Sequence, residues 1–304
     1  MDKRQVFFYK SKPYRSSRPV WFVIFFAIFA WLLACKPITP IPPASPTPIL
    51  ARVAFTTAPT PAPTSVTAAS SPTPEKCSET RGQVQSHAYN SVLLPNYHIY
   101  LPPCYDFDEE AHYPVLYLLH GANFEDDQWV RLGIEEESPE YIIVMPYEKY
   151  SLRPTYETEF GEIFINDFLP YIDRNYRTQR DKKHRAIGGL SRGGGWAIRY
   201  GLTRWDIFSA FGAHSPAIFY QDYARLNDWL CEIPADSLPR IYIDTGDKDQ
   251  NFLIIADFGN LLAENKIAHT WRLYLGFHNE RYWRAHVAEY LRWYGEGWTD
   301  ENEK

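Results

Sequence analysis

The chain has 304 residues, 45 % of them hydrophobic and 16 % aromatic, with 31 basic against 37 acidic side chains and a formal net charge of −6. Six of the basic residues but one of the acidic ones fall in residues 1–34, so the remainder carries 25 basic against 36 acidic groups, a net −11. A surface of that sign repels phosphate backbones and anionic headgroups, which excludes a nucleic-acid partner in the absence of a basic patch, and about 220 residues of apolar periodicity suit one domain with a full core.

Residues 20–34 are apolar throughout and follow a basic segment. Fifteen residues are short for a membrane span and suit the apolar region of an export signal. The segment closes with Leu32-Leu33-Ala34-Cys35, which is similar to a bacterial lipobox and would make Cys35 a lipidation site. An uncleaved signal anchor is the alternative. Under either reading the basic flank stays inside, and the rest of the chain is expected outside the cytoplasm, attached to the bacterial cell membrane. Residues 36–76 are dominated by Pro, Thr, Ser and Ala; they offer little to bury and read as a disordered, semi-stiff spacer. The folded domain is expected over 77–304. With Cys35 assigned to the anchor, Cys77, Cys104 and Cys231 remain, and an exported compartment permits disulfides. Cys77 with Cys104 is the preferred pair because the two bracket the first two predicted strands; three free buried thiols are the alternative.

Two β-rich runs, 83–93 and 97–101, are separated by Pro95-Asn96 and predict an antiparallel hairpin. Continuous apolar runs then follow at 115–119, 141–145, 185–188, 208–212, 241–244 and 270–275, with helical patterns at 162–175, 192–200, 252–265 and 281–294 between or after them. Strands apolar on both faces, alternating with helices, predict an α/β fold with a mostly parallel sheet covered on both sides. In such sheets the working loops lie at the carboxyl ends of the strands.

Gly189-Leu190-Ser191-Arg192-Gly193 follows one of those strands and opens a helix. A G-x-S-x-G string in that context makes a sharp turn that lifts the serine hydroxyl clear of the sheet, above a helix N-terminus that favours developing negative charge. A serine hydroxyl needs a base, and the base a carboxylate, in the chain order Ser, Asp or Glu, His. His278 follows the strand at 270–275, and Asp249 and Asp247 both lie in the loop after 241–244. A calcium loop through Asp247, Asp249 and Asn251 is disfavoured, since Phe252 stands at its glycine position and Phe258 at its bidentate glutamate position. His184 at a strand start and His286 within the last helix read as surface or packing residues. Oxyanion donors are expected from the backbone N–H of Arg192 and of Ala122, after the Leu119-His120-Gly121 turn, with His120 shaping that turn. Trp129, Trp196 and Trp283 lie near these motifs; Trp129 and Trp283 are candidate stacking residues for a sugar or phenolic acyl group, with core packing as the other reading.

Residues 83–294 resemble the esterase family that includes feruloyl and acetyl-xylan esterases, S-formylglutathione hydrolase, siderophore esterases and the antigen 85 mycolyltransferases. The resemblance rests on His98-Ile99-Tyr100-Leu101-Pro102-Pro103, on the Leu-Leu-His-Gly turn with Asp127-Gln128-Trp129, on Phe168-Leu169-Pro170-Tyr171-Ile172-Asp173, on Gly188-Gly189-Leu190-Ser191-Arg192-Gly193-Gly194, on Gly246-Asp247-Lys248-Asp249, and on Gly276-Phe277-His278 with Trp283. It implies the α/β-hydrolase fold and a serine carboxylic-ester hydrolase using no cofactor and no metal. It also implies Asp249 as the acid, because the family's acid follows its glycine by three positions. Arg192 stands where a methionine is common and Asn279 where an aspartate is usual, and Arg192 is expected to put a cation at the mouth of the site. The expected substrate is a small or polysaccharide-linked ester, with carbohydrate and phenolic esters favoured outside the cytoplasm. An acyltransferase of the antigen 85 type and a non-catalytic surface binding protein on the same fold are the alternatives.

Overall fold

The apolar runs become eight strands of one sheet in the computed structural model, which describes residues 77–299. The expected export signal with Cys35 and the spacer lie outside those residues. The strands are β1 (Gln83–Ala88), β2 (Asn96–Leu101), β3 (Val115–Leu119), β4 (Ile142–Pro146), β5 (Arg185–Leu190), β6 (Ala210–His214), β7 (Arg240–Gly246) and β8 (Thr270–Tyr274). Their order is β1-β2-β4-β3-β5-β6-β7-β8; β1 and β2 run antiparallel to their neighbours, and every other pair is parallel. This is the doubly covered sheet of the α/β-hydrolase fold.

Alternate residues of the central strands enter two separate cores, so these strands have no polar face. Val115, Tyr117 and Leu119 join Ile142, Val144 and Ile187 on one side, while Leu116 and Leu118 join Ile143, Met145 and Leu190 on the other. The first core is closed by helices over residues 160–175, Arg192–Thr203 and Phe252–Glu264; the second is closed by Trp129 and by the C-terminal helix Glu280–Glu296 through Trp283, Val287, Tyr290 and Tyr294. Fully burying a Leu, Ile or Phe side chain contributes about 1.5–3 kcal/mol, so both layers are held firmly to the sheet.

Local chemistry explains where elements depart from the expected spans. β1 stops at Ala88, not at 93: Tyr89 N–H still donates to its register partner Pro95 O at 2.6 Å, but Pro95 has no N–H to return the bond, and Tyr89 O accepts instead from Ser91 N–H at 2.9 Å. β6 runs to His214, two residues beyond the expected 212, and pairs His214 with Leu190. The helix over 160–175 carries a π turn at Phe164–Phe168, which ends two residues before Pro170. A proline lacks a donor and clashes with the carbonyl four residues back, and the wider turn absorbs that conflict. Cys77 and Cys104 are disulfide-bonded with their Cα atoms 5.9 Å apart, and none of the described cysteines is free, so the reading of three free thiols is overturned. Among the described residues no helix is long and apolar enough to cross a membrane.

Candidate active site

Ser191 caps the helix Arg192–Thr203 at φ 52°, ψ −113°, a conformation that costs a non-glycine residue about 1–3 kcal/mol and persists only when its surroundings enforce it. Three backbone hydrogen bonds do so: Ser191 N–H donates to His214 O at 3.0 Å, and Ser191 O accepts from Gly195 N–H at 3.0 Å and Ala217 N–H at 2.8 Å. The glycines of the motif are required by close approach, since a Cβ on Gly189 would lie 2.3 Å from Gly193 C and one on Gly193 only 2.2 Å from Leu119 O. The sequence therefore permits a turn so tight that the hydroxyl projects over the carboxyl ends of β3 and β5.

His278 Nε2 is 2.8 Å from Ser191 Oγ, and His278 Nδ1 is 2.9 Å from Asp249 Oδ2. The Asp249 side chain is fully buried and that of His278 is 14 % exposed, so the relay opens to solvent at the serine end. Burial alone would raise the Asp249 carboxyl, but hydrogen bonds from His278 and from Asn251 N–H at 2.7 Å outweigh it and hold the group below the ordinary aspartate range. Asp247 is exposed, and its Oδ1 accepts from Gly276 N–H at 2.8 Å, bracing the loop that carries His278. Of the two competing carboxylates, the structure thus sets Asp249 against the histidine. Asn279, at the position where an aspartate is usual, caps the C-terminal helix by accepting from Tyr282 N–H at 3.1 Å.

The turn after β3 lies beside Ser191: a Cβ on Gly121 would meet Ser191 Cβ at 3.6 Å. Gly121 N–H donates to the buried Gln128 Oε1 at 2.8 Å, which commits that donor and leaves Ala122 N–H as the next along the turn. His120 Nδ1 is 2.7 Å from Gly121 O, and its Nε2 accepts from Glu148 N–H at 2.9 Å. Burial pushes His120 below the usual histidine range, consistent with a neutral ring held in one tautomer.

The side chain of Arg192 corrects an expectation. It is buried, with Nε 2.9 Å from Glu148 Oε2 and Nη2 on Oε1, so its charge is consumed beneath the site and does not stand at the mouth. Glu148, 2 % exposed, also accepts from Trp196 Nε1 at 2.9 Å. Neither Glu148 nor its partnership is signalled by the sequence, beyond a charged residue just past a buried strand.

A crevice of about 610 Å³ opens at Ser191 and His278, lined by Ala122, Phe124, Gln250, Arg281 and Trp283 among others. Trp283 packs edge-to-face on His278 with ring centres 5.1 Å apart and is 2 % exposed, so it supports the histidine more than it offers a stacking face. Trp129 is completely buried, donates from Nε1 to Leu119 O at 3.1 Å, and has no surface to offer a ligand; the expectation of a stacking role fails there because the ring is wedged beneath β3. Trp196 is likewise buried, at 1 % exposed. His184 pairs with Asp181 near the surface and His286 stacks on Tyr274, as their positions in the sequence suggest. A larger cavity, about 840 Å³, lies at the amino ends of the strands between Tyr141 and the end of the C-terminal helix, away from Ser191.

The chain is similar to an endo-1,4-beta-xylanase/feruloyl esterase of Xylanibacter ruminicola, with 27 % identity over 186 residues covering 55 % of this chain and 24 % of that protein. It is 30 % identical over 147 residues to Esterase Rv1288 of Mycobacterium tuberculosis, covering 44 % of this chain and 32 % of that one. The chain thus spans 24 to 32 % of the length of these curated relatives. Among solved structures, a ferulic acid esterase superposes with a TM-score of 0.63 at 26 % identity, covering 72 % of this chain and all of that one. An S-formylglutathione hydrolase from Staphylococcus aureus shares the fold with a TM-score of 0.60 at 18 % identity, over 70 % of this chain and 99 % of that one. The model of the family described as "Putative esterase" matches residues 95–294, which include every residue of the crevice, and on that match the chain belongs to this family of serine ester hydrolases.

Proposed function

We propose that this protein hydrolyses carboxylic esters through an acyl-enzyme on Ser191, acting outside the cytoplasm. The observation that carries the reading is the continuous relay from Ser191 Oγ through His278 to the buried Asp249, with steps of 2.8 and 2.9 Å, at a strained helix N-terminus. His278 Nε2 takes the hydroxyl proton as Ser191 Oγ attacks the ester carbonyl carbon, and Asp249 stabilises the imidazolium that forms. The N–H groups of Arg192 and Ala122 hold the oxyanion. His278 returns the proton to the departing alcohol, water attacks the acyl-serine with His278 again as base, and the acid is released.

For the substrate, the reading is an ester of a carbohydrate or phenolic acid. It is supported by a crevice that mixes Asn123, Gln250, Asn279 and Arg281 with the half-buried ring of Phe124, and by relatives named as feruloyl esterases. Purified protein should hydrolyse p-nitrophenyl acetate, and Ser191→Ala should not; a panel of feruloyl, acetyl-xylan and siderophore esters ranks the acyl and alcohol groups. Equal turnover by wild type and Ser191→Ala would refute the mechanism. Attachment through Cys35 is tested by cell fractionation and lipid labelling of Cys35→Ala.

A further inference from the structure

We infer that Glu148 is a positioning residue that sets both oxyanion donors at once, an inference that rests on the acyl-enzyme reading above. Glu148 follows β4, and the strand order β4-β3-β5 lets it reach both His120 in the turn after β3 and Arg192 in the turn after β5. Through its carboxylate it grips Arg192 by Nε and Nη2, and Arg192 is the residue whose own N–H is one donor. Trp196 Nε1, one turn further along the same helix, completes the carboxylate's partners and fixes its plane.

Through its backbone the same residue reaches the second donor. Because Glu148 N–H can only donate, His120 Nε2 must accept, and the ring proton must then sit on Nδ1, where it donates to Gly121 O. A trans peptide holds its C=O and the following N–H antiparallel in one plane. Fixing the Gly121 carbonyl therefore fixes the direction of Ala122 N–H. One buried glutamate links the nucleophile turn to the turn after β3, and both donors are held before substrate arrives, which is what makes such donors effective.

A second ion pair on the same helix separates positioning from mere stabilisation. Arg199 is held by Asp222 at 2.7 Å from both Nε and Nη2, also largely buried, but this pair touches neither donor turn. The experiment compares Glu148→Gln, Asp222→Asn and wild type for kcat and KM on p-nitrophenyl acetate, affinity for phenylboronic acid as a tetrahedral adduct at Ser191, and thermal melting. Glu148→Gln is expected to lower kcat by about 10- to 100-fold with KM little changed, and to weaken the boronate in proportion. Asp222→Asn is expected to lower the melting temperature while keeping kcat. His120→Asn, which retains a donor near the Nδ1 position but loses the Nε2 acceptor, approaches the link from its other end and should also lower kcat should Glu148→Gln not fold. If folded Glu148→Gln, or folded His120→Asn in its place, matches Asp222→Asn in kcat and boronate affinity, Glu148 is structural only and the inference is overturned. If wild type itself neither turns over ester nor binds the boronate, it is the esterase reading that fails.

Discussion

Two histidine–aspartate pairs occur at the carboxyl ends of β6 to β8 with nearly the same geometry and different fates. His278 Nδ1 meets Asp249 at 2.9 Å, and His214 Nδ1 meets Asp244 at 2.8 Å. The difference lies at the other ring nitrogen. His278 Nε2 faces Ser191 Oγ at the floor of a crevice, whereas His214 Nε2 faces Tyr294 OH at 3.2 Å, with no part of either side chain in its pair exposed. Asp244 also accepts from Tyr282 and Tyr290 at 2.7 and 2.8 Å, and Tyr290 stacks on His214 with ring centres 3.7 Å apart. A His–Asp pair becomes a candidate for chemistry when its free nitrogen meets a nucleophile that substrate can reach; closed on all sides by tyrosines, the same pair serves as a buried strut.

The largest expected effect breaks the first pair. Ser191→Ala and His278→Ala should each lower kcat by about 10⁶, and Asp249→Asn by about 10⁴ with the fold intact. Asp247→Asn keeps an acceptor for Gly276 N–H and should stay within a few-fold of wild type; steady-state kinetics on p-nitrophenyl acetate decide the ranking. A crippled Asp247→Asn beside an active Asp249→Asn would reverse the assignment of the acid.

The second pair answers in stability. Asp244→Ala strands a buried histidine and two tyrosine hydroxyls, and should cost about 3–5 kcal/mol in denaturant unfolding, while kcat per folded molecule falls far less than in Asp249→Asn. Replacing Cys77 and Cys104 together by Ser, which touches neither pair, should lower stability by about 2–4 kcal/mol without altering kcat; denaturant unfolding of the double variant against wild type measures it.

The smallest effects come from pH, where Asp249 of the first pair and the tyrosines packed around the second act at opposite ends of the scale. Asp249 titrates below its unfolded value of about 3.9, so its contribution is present above that pH and is lost as pH falls through the folded value; Asp249→Asn should flatten that limb. His120, buried and depressed, adds an earlier acid loss that begins as pH drops below about 6.5. Burial and the neighbouring Asp244 carboxylate raise Tyr282 and Tyr290, and burial with Tyr141 raises Tyr294, so the unfolded chain ionises first and stability falls as pH climbs above about 10. Unfolding free energies across pH should show the alkaline limb reduced in Tyr290→Phe and untouched in Asp249→Asn.

The contrast between the pairs also separates what could be read from residues in a line from what could not. Ser191, Asp249 and His278 each follow a β-strand, and strands buried on both faces announce themselves as continuous apolar runs, so their shared rim was legible before any coordinates. The amino acids alone determined the α/β layering, the tight glycine turn at Ser191 and the post-strand loops that carry Asp249 and His278, because these depend on period, on chain order and on steric limits within a few residues. Tertiary structure alone decided that Trp129 is sealed under β3, that Arg192 turns inward to Glu148, and that His214 is enclosed by Tyr290 and Tyr294 of the C-terminal helix together with Tyr242 of β7 and Trp129. Those outcomes depend on which strands lie side by side, and on contacts 44 residues apart for Arg192 with Glu148 and 80 apart for His214 with Tyr294. No local pattern carries such contacts, since a buried charge or ring is placed by whichever partner can satisfy it once the sheet order is set.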